Sequence, residues 1–508
     1  MFAKVESITL EGLKGFRVTI ETDIYDGLPA YETVGLPGAA VKESKERVRS
    51  AIKNSFLKYP TKRITVNLAP ADIRKEGPIY DLPIALGLLS ASDQVSRIPK
   101  NCVFFDELAL DGKVRKVNGI LPMLIEAVNF GFDSAVIPAE NAAEVECLEK
   151  IKIYPAKTLL DVVNHLNGST QILPIEHKTF ENINYINKEY VDFSEIKGQT
   201  FAKRAMEIAA AGGHNILLIG PPGAGKSMLA KSLPGILPDL CFEEALEITK
   251  IHSISGRLDE QGIIKTRPFR SPHHTTSTAA LAGGGTKVSP GEISLAHFGV
   301  LFLDELPEFK REALEALRQP LEDGVVSVAR VNAKAIYPAD FMLVAAMNPC
   351  PCGNYGSKVR ECRCSPRQIN GYLGRISGPL LDRIDMHIEL SEVTYNEISS
   401  KIVDENSETI KKRVNLARTT QQRRYKGLNA YTNAQLSSSQ VKKFCEIDSS
   451  GEELIKAAFS KLDISARSYN RILKVARTIA DMDMQEKIGA NHIAQAIQFR
   501  TLDRKYWG

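Results

Sequence analysis

At 508 residues the chain is too long for one ordinary hydrophobic core and implies two to four domains. Its 43% apolar and 25% charged residues exclude a disordered chain, and no apolar run is long enough to span a bilayer. The net charge of +4 neither requires nor rules out nucleic acid, so any basic surface has to be local. The N-terminus, Met1-Phe2-Ala3-Lys4-Val5-Glu6, has no n-region leading into an apolar h-region, so the expected location is cytoplasmic. In a reducing compartment the eight cysteines read as scattered thiols or metal ligands rather than as a disulfide scaffold.

The pattern over residues 1–168 is mixed α/β. Ser7 to Ile24 alternates as a strand would, across Gly12 and Gly15. Lys42 to Asn54 predicts a charged helix, Arg63 to Leu68 a strand, and Asp81 to Ala91 an apolar helix. Cys102 to Leu110 and Ala135 to Ile137 predict further strands. Gly77-Pro78-Ile79-Tyr80-Asp81 and the run Asp106 to Arg115 resemble the domain shared by the Lon protease and the magnesium chelatase-like ATPases. That resemblance implies an N-terminal Lon-like (ribosomal S5 domain 2-like) α+β domain. Lon's serine nucleophile follows the Gly-Pro pair, whereas Ile79 stands there. The lysine expected just beyond Gly119 is replaced by Ile120-Leu121. A serine–lysine dyad needs a hydroxyl and an amine base. The domain is therefore expected to be non-proteolytic, serving as a structural cap, an oligomer contact or a DNA guide.

Residues 169–190 are polar and aperiodic and read as a linker. Beyond it, Ile216 to Ile219 reads as a buried strand that runs into Gly220-Pro221-Pro222-Gly223-Ala224-Gly225-Lys226-Ser227 and then into a helix-forming segment. This is the G-x-x-x-x-G-K-[ST] phosphate loop in its required strand–turn–helix setting. Glycines let backbone N–H groups converge on phosphate oxygens, and the helix N-terminus adds partial positive charge. Lys226 is expected on the β/γ-phosphates of ATP and Ser227 on Mg²⁺. Downstream, Val300-Leu301-Phe302-Leu303 predicts a strand ending in Asp304-Glu305, at the sheet edge where open α/β folds bind ligands. Asp304 is the expected Mg²⁺ ligand and Glu305 the general base toward the attacking water.

With both motifs in place the chain resembles the AAA+ ATPases, and further roles follow from that resemblance. It implies that Ile196 and Gly198 contribute to the adenine pocket. Phe341 to Met347, ending in Asn348, resembles the sensor 1 strand, which puts Asn348 on the γ-phosphate or the lytic water. Leu381-Asp382-Arg383-Ile384-Asp385 resembles the segment carrying the arginine finger, which implies that Arg383 acts on ATP held by a neighbouring subunit; an internal salt bridge to Asp382 or Asp385 is the other reading. The helix opened by Ser465-Ala466-Arg467 resembles the lid segment whose arginine, here Arg467, is sensor 2.

Arg267 to Ser277 with Gly283 to Glu292 looks like a helix-2 insert, and the alternating stretch Gly324 to Pro338 looks like a pre-sensor-1 hairpin. In that clade both face a central pore, so Lys287, Arg330 and Lys334 become candidate DNA-backbone contacts; solvated surface cations are the plainer alternative. His273-His274 lacks further ligands nearby and suggests a structural or nucleotide-proximal role. From Thr394 the pattern is helical, with Tyr395 to Lys426 predicted long and Asn491 to Ile493 opening the last helix.

Four cysteines cluster as Cys350-Pro351-Cys352 and Cys362-Arg363-Cys364. Two short thiolate pairs suit a closed tetrahedral structural Zn²⁺ site, with an iron–sulfur centre, a redox pair or free thiols as alternatives. Taken together, the chain resembles the magnesium chelatase-like AAA+ ATPases of the ComM type. The resemblance divides it into a Lon-like domain at 1–168, an AAA+ P-loop α/β core at 191–393 with both inserts and a cysteine knuckle at 350–364, and a C-terminal helical lid at 394–508. It implies a homo-hexameric ring that hydrolyses ATP with Mg²⁺ to drive branch migration of DNA in natural transformation. A metal-chelatase motor subunit and an ATP-switched protein remodeller without helicase activity are the rivals.

Overall fold

The computed structural model describes residues 1–183, 190–259, 262–285, 288–330, 333–357, 360–399, 404–462 and 465–507. They form two compact units that interleave along the chain. One comprises Met1–Ile186, Cys241–Lys265 and Ala329–Tyr337; the other comprises Asn187–Leu240, Thr266–Val328 and Pro338–Gly508.

The first unit is built on a seven-stranded mixed sheet. Its strands lie in the order Ala30–Val34, Arg63–Ala69, Lys14–Tyr25, Phe2–Glu11, Cys102–Phe104, Ser134–Pro138 and Lys152–Ala156. The stretch expected as one strand from Ser7 to Ile24 is instead a hairpin, because Gly12 takes φ +61° and turns the chain. Alternation sends Val5, Val18, Ile20, Val66 and Phe104 to one face, and Ile8, Val103, Ala135 and Ile137 to the other. Helices Ala39–Asn54 and Asp81–Ala91 cover the first face. Asp81–Ala91 is buried along nearly its whole length, as its apolar sequence predicts. Helix Ile120–Asn129 covers the second face. The strand expected over Cys102 to Leu110 is broken: it pairs only through Phe104 and resumes at Glu107–Leu108, with buried Asp106 between.

The second unit has a five-stranded, all-parallel sheet in the order Phe269–Arg270, Val300–Leu303, Met342–Met347, Ile216–Ile219, Met386–Glu389. Three of its strands are fully buried apolar runs, as a parallel sheet covered on both faces requires. Helix Thr200–Gly212 and the C-terminal helices Ser407–Arg424 and Ala466–Met482 share one continuous core with Ile216, Leu218, Val344 and Ile388. A mixed α/β fold with a parallel core and a helical C-terminal region is thus what the chain adopts.

Two expectations for the helical region need correction. The long helix from Tyr395 is divided into Tyr395–Ser399 and Ser407–Arg424, the second opened by Asn406, whose side chain accepts from Thr409 N. Helix Ala490–Gln498 is not the last. Leu502–Trp507 follows, and it ties back to strand Met386–Glu389: Lys505 pairs with Glu389, and the Tyr506 hydroxyl donates to the same carboxylate at 3.0 Å. Among the described residues no helix is long and apolar enough to cross a membrane.

Candidate active site

The C-terminal edge of the parallel sheet gathers the predicted residues of three separate strands. Ile219 leads into the phosphate loop, Leu303 into Asp304-Glu305, and Met347 into Asn348. Helix Lys226–Ser232 begins at Gly225, which takes φ +88°, and Gly223 takes φ +80°. Both glycines thus take the left-handed conformations that let a tight loop turn its backbone N–H groups toward a chain of phosphates.

Lys226 Nζ donates to Gly220 O at 2.7 Å, Pro221 O at 2.9 Å and Asn348 Oδ1 at 3.0 Å. Burial pulls its ammonium below the ordinary lysine range, while Asp304 and Glu305 oppose that. The ammonium is thus held in place by neutral oxygens, ready for an anion. Ser227 Oγ donates to Asp304 Oδ2 at 2.7 Å, and the other carboxylate oxygen accepts from Glu305 N at 2.9 Å. Ser227 and Asp304 are therefore adjacent hard-oxygen ligands of the kind Mg²⁺ takes, and the donor set fits that ion.

Glu305 sits at φ +52°, a conformation uncommon outside glycine, which turns its side chain off the strand direction. Its Oε2 lies 3.2 Å from His274 Nδ1. His274 packs against His273, the rings tilted by 34° with centroids 4.1 Å apart. From the sequence the pair suggests a structural or nucleotide-proximal role. The signal was there: two histidines three residues beyond a strand that pairs with Val300–Leu303.

Ile196 is buried, and Gly198 takes φ +64°, a conformation that favours glycine, with Glu397 packed against it. Gln199, unnoticed in the sequence, links this turn to the phosphate loop by donating to Ala224 O at 3.2 Å and to Ser391 O at 2.7 Å.

The two predicted arginines stand apart from this group. Arg383 pairs with Glu322 and donates to Pro379 O at 2.7 Å; the internal bridge weighed from sequence, to Asp382 or Asp385, is not what it makes. Arg467 lies 3.6 Å from Asp382 and is largely exposed. Among the described residues neither is a partner of Lys226, Ser227 or Asp304. Glu322 is held below the ordinary carboxylate range, first by Arg383 and more weakly by Arg467, so the two arginines share one acidic neighbour.

Of the DNA candidates, Lys334 is exposed on strand Ala333–Pro338 of the hairpin. Lys287 lies outside the described residues, as does the side chain of Arg330.

The four sulfurs of Cys350, Cys352, Cys362 and Cys364 lie within 4.8 Å of one another. Cys350 Sγ is 3.4 Å from Cys352 Sγ and 3.7 Å from Cys362 Sγ, and Cys352 to Cys362 is also 3.7 Å. A tetrahedron of Zn–S bonds has edges of about 3.8 Å, so the set fits a thiophilic four-coordinate ion. Tyr355 N donates to Cys350 Sγ at 3.3 Å, a backbone contact of the kind that orients a sulfur ligand.

Residues 192–398 match the family model described as magnesium chelatase, subunit ChlI; residues 20–141 match subunit ChlI of Mg-chelatase; and residues 404–500 match its C-terminal model. The chain is 45% identical to the competence protein ComM of Haemophilus influenzae, across 97% of this chain and 96% of that protein. It is 44% identical to the protein YifB of Escherichia coli over the same shares. A 30% likeness to the magnesium-chelatase 67 kDa subunit of Chlorobaculum parvum extends over 31% of this chain and 23% of that subunit.

Proposed function

We propose, from the premise that the chain belongs to the magnesium chelatase-like AAA+ ATPases of the ComM type, that it is an ATP-driven motor acting on DNA. The observation that carries the ATPase reading is the convergence of Lys226, Ser227, Asp304 and Asn348 on one sheet edge. In this reading Gly220 to Gly225 wrap the phosphates of ATP with backbone N–H groups, and Lys226 neutralises the β/γ oxygens. Ser227 and Asp304 hold Mg²⁺, which supplies charge compensation on the phosphates. Glu305 takes the proton of the attacking water and Asn348 orients that water without adding charge. Ile196 and Gly198 flank the base.

Arg383 is assigned to the ATP of an adjacent subunit, because its partners in its own chain lie away from the phosphate loop, and Arg467 to the γ-phosphate as sensor 2, in its own subunit or the adjacent one. A site completed in this way implies a closed homo-oligomer, which we read as a hexameric ring. Likeness over nearly the full length to a competence protein supports natural transformation as the setting, and within it we propose DNA as the substrate and branch migration as the activity. Lys287, Arg330 and Lys334 are the proposed backbone contacts, and the cytoplasm the proposed location. The magnesium-chelatase family models support a metal-chelatase motor as the rival, but the likeness to a chelatase subunit extends over 31% of the chain against 97% for the competence protein.

The test is hydrolysis measured with and without Holliday-type and forked DNA. Branched DNA is expected to stimulate turnover and to be unwound, and Lys226→Ala to abolish both. If branched DNA neither stimulates hydrolysis nor is unwound while Lys226→Ala still stops basal turnover, the ATPase reading stands and the DNA reading fails.

A further inference from the structure

The loop that carries the four cysteines is built into the wall of the phosphate site. It begins directly at Asn348, whose Oδ1 holds Lys226 Nζ at 3.0 Å. From there the chain reads Asn348-Pro349-Cys350-Pro351-Cys352, and two prolines in five residues fix φ and remove slack between the lysine's partner and the first two sulfurs. Cys350 is fully buried. The next residue after Cys352, Gly353, takes φ +81° and closes the turn by donating N–H to Cys350 O at 2.9 Å. An added Cβ at Gly353 would stand 2.5 Å from Pro222 Cδ and 2.9 Å from its Cγ, so the backbone of the cysteine turn rests directly on the phosphate loop. On the far side, Ser357 Oγ donates to Glu392 Oε1 at 3.1 Å, just beyond the strand that flanks Ile216–Ile219. One loop thus touches the site at Lys226, through Asn348, and at Pro222, through Gly353. Its own shape rests on whatever draws Cys350 and Cys352 to Cys362 and Cys364.

We propose that the four cysteines, loaded with a thiophilic divalent cation of the Zn²⁺ class, brace the nucleotide site, so that occupancy of the metal site sets the affinity for ATP. The proposal rests on reading the cluster as a metal site and the phosphate loop as a nucleotide site. Its physical basis is linkage. Without the cross-link, the turn from Cys350 to Gly353 samples more conformations, and nucleotide binding has to restore the one in which Asn348 and Gly353 are in place. Two sites coupled through one element change each other's affinity by the same factor, commonly about 5- to 150-fold. Nucleotide therefore also tightens the hold on the metal.

The experiment measures the dissociation constant of a fluorescent, non-hydrolysable ATP analogue on the full chain in excess Mg²⁺. The chain is compared as purified, after extraction of the thiol-bound metal under reducing conditions with Mg²⁺ restored, and after reloading with Zn²⁺. Metal content and circular dichroism are followed in parallel. One metal per chain, an affinity lowered at least about fivefold by extraction, and recovery on reloading are expected. Gly353→Ala supplies the second arm: all four sulfurs remain, so metal content is kept, while the Cβ displaces Pro222 and weakens the analogue.

A chain that contains no metal and takes up no Zn²⁺ overturns the metal reading and the proposal with it. A loaded chain whose affinity is unmoved by extraction overturns the coupling alone. If the stripped chain loses its fold, Gly353→Ala decides, and unchanged affinity there overturns the proposal. Undiminished binding by Lys226→Ala would instead fault the nucleotide site itself.

Discussion

Asp385→Asn puts the architecture of the catalytic unit to a quantitative test. Asp385 is 6% exposed. Its Oδ1 accepts from Arg471 Nη1 at 2.8 Å and its Oδ2 from Asn215 N at 3.1 Å, with His214 Nδ1 3.5 Å from the same oxygen. Burial by itself would raise this carboxyl. Arg471 and His214 outweigh it and hold the group below the ordinary carboxylate range.

Asparagine preserves the shape and can still accept from Asn215, but it leaves the Arg471 guanidinium, only 20% exposed, without its counter-charge. Removing one partner of a buried pair costs about 3–5 kcal/mol. Since Arg471 keeps some contact with water, the lower end applies, about 3 kcal/mol. For a unit larger than about 250 residues each kcal/mol moves the midpoint by somewhat under about 2 °C, so the transition should fall by about 5 °C at pH 7.

The pH dependence follows from the direction of the shift. A carboxyl depressed in the folded state contributes stability that is complete above its unfolded value of about 3.9 and is lost as pH falls through the folded value. The gap between wild type and Asp385→Asn should therefore be full at pH 7 and narrow in strong acid. Differential scanning calorimetry of the full chain across that range is the assay. A midpoint within about 2 °C of wild type at pH 7 would refute the reasoning. Activity should suffer as well, because Asn215 also donates its amide to Arg383 O at 3.1 Å and so carries the disturbance to the proposed finger.

The other unit should respond to acid in the opposite sense. Burial pushes the Asp81 carboxyl up to about 6 against the pull of Arg47, and burial raises Asp106 as well. A raised carboxyl contributes stability present below its unfolded value and lost as pH rises through about 6, so Asp81 should add about 1 kcal/mol on going from pH 7 to pH 5. Amide exchange of strand Lys14–Tyr25, corrected for intrinsic rates, should slow accordingly; faster corrected exchange at pH 5 would contradict it. At the catalytic edge, His274→Ala should lower kcat while sparing nucleotide affinity, because His274 touches Glu305 and none of the phosphate-loop groups named above. The loss should stay within the about 10²–10⁴-fold that a general base contributes. Single-turnover hydrolysis set beside equilibrium binding checks it, and a change confined to affinity would show that His274 holds nucleotide instead.

Much of the catalytic edge was legible from local pattern. Apolar runs of four to six residues that end in a glycine turn, in two acids or in Asn348 announce buried parallel strands and their functional edge. Parallel strands present the same end to the same side, so those residues meet wherever the strands lie side by side. The four cysteines were legible for a similar reason, since only short loop closure is needed to bring the two pairs together.

What tertiary structure alone decided is every pairing between segments far apart in the chain. That His274 meets Glu305, that Arg383 turns to Glu322 rather than to its neighbouring aspartates, and that Gly353 rests on Pro222 all depend on strand order and on how inserts leave the sheet. Strand order is set by the burial of whole faces against helices, summed over many residues, and no local window of sequence contains that sum. The phosphate loop was therefore readable residue by residue, while the groups that brace and modulate it became visible only once the sheet had assembled around it.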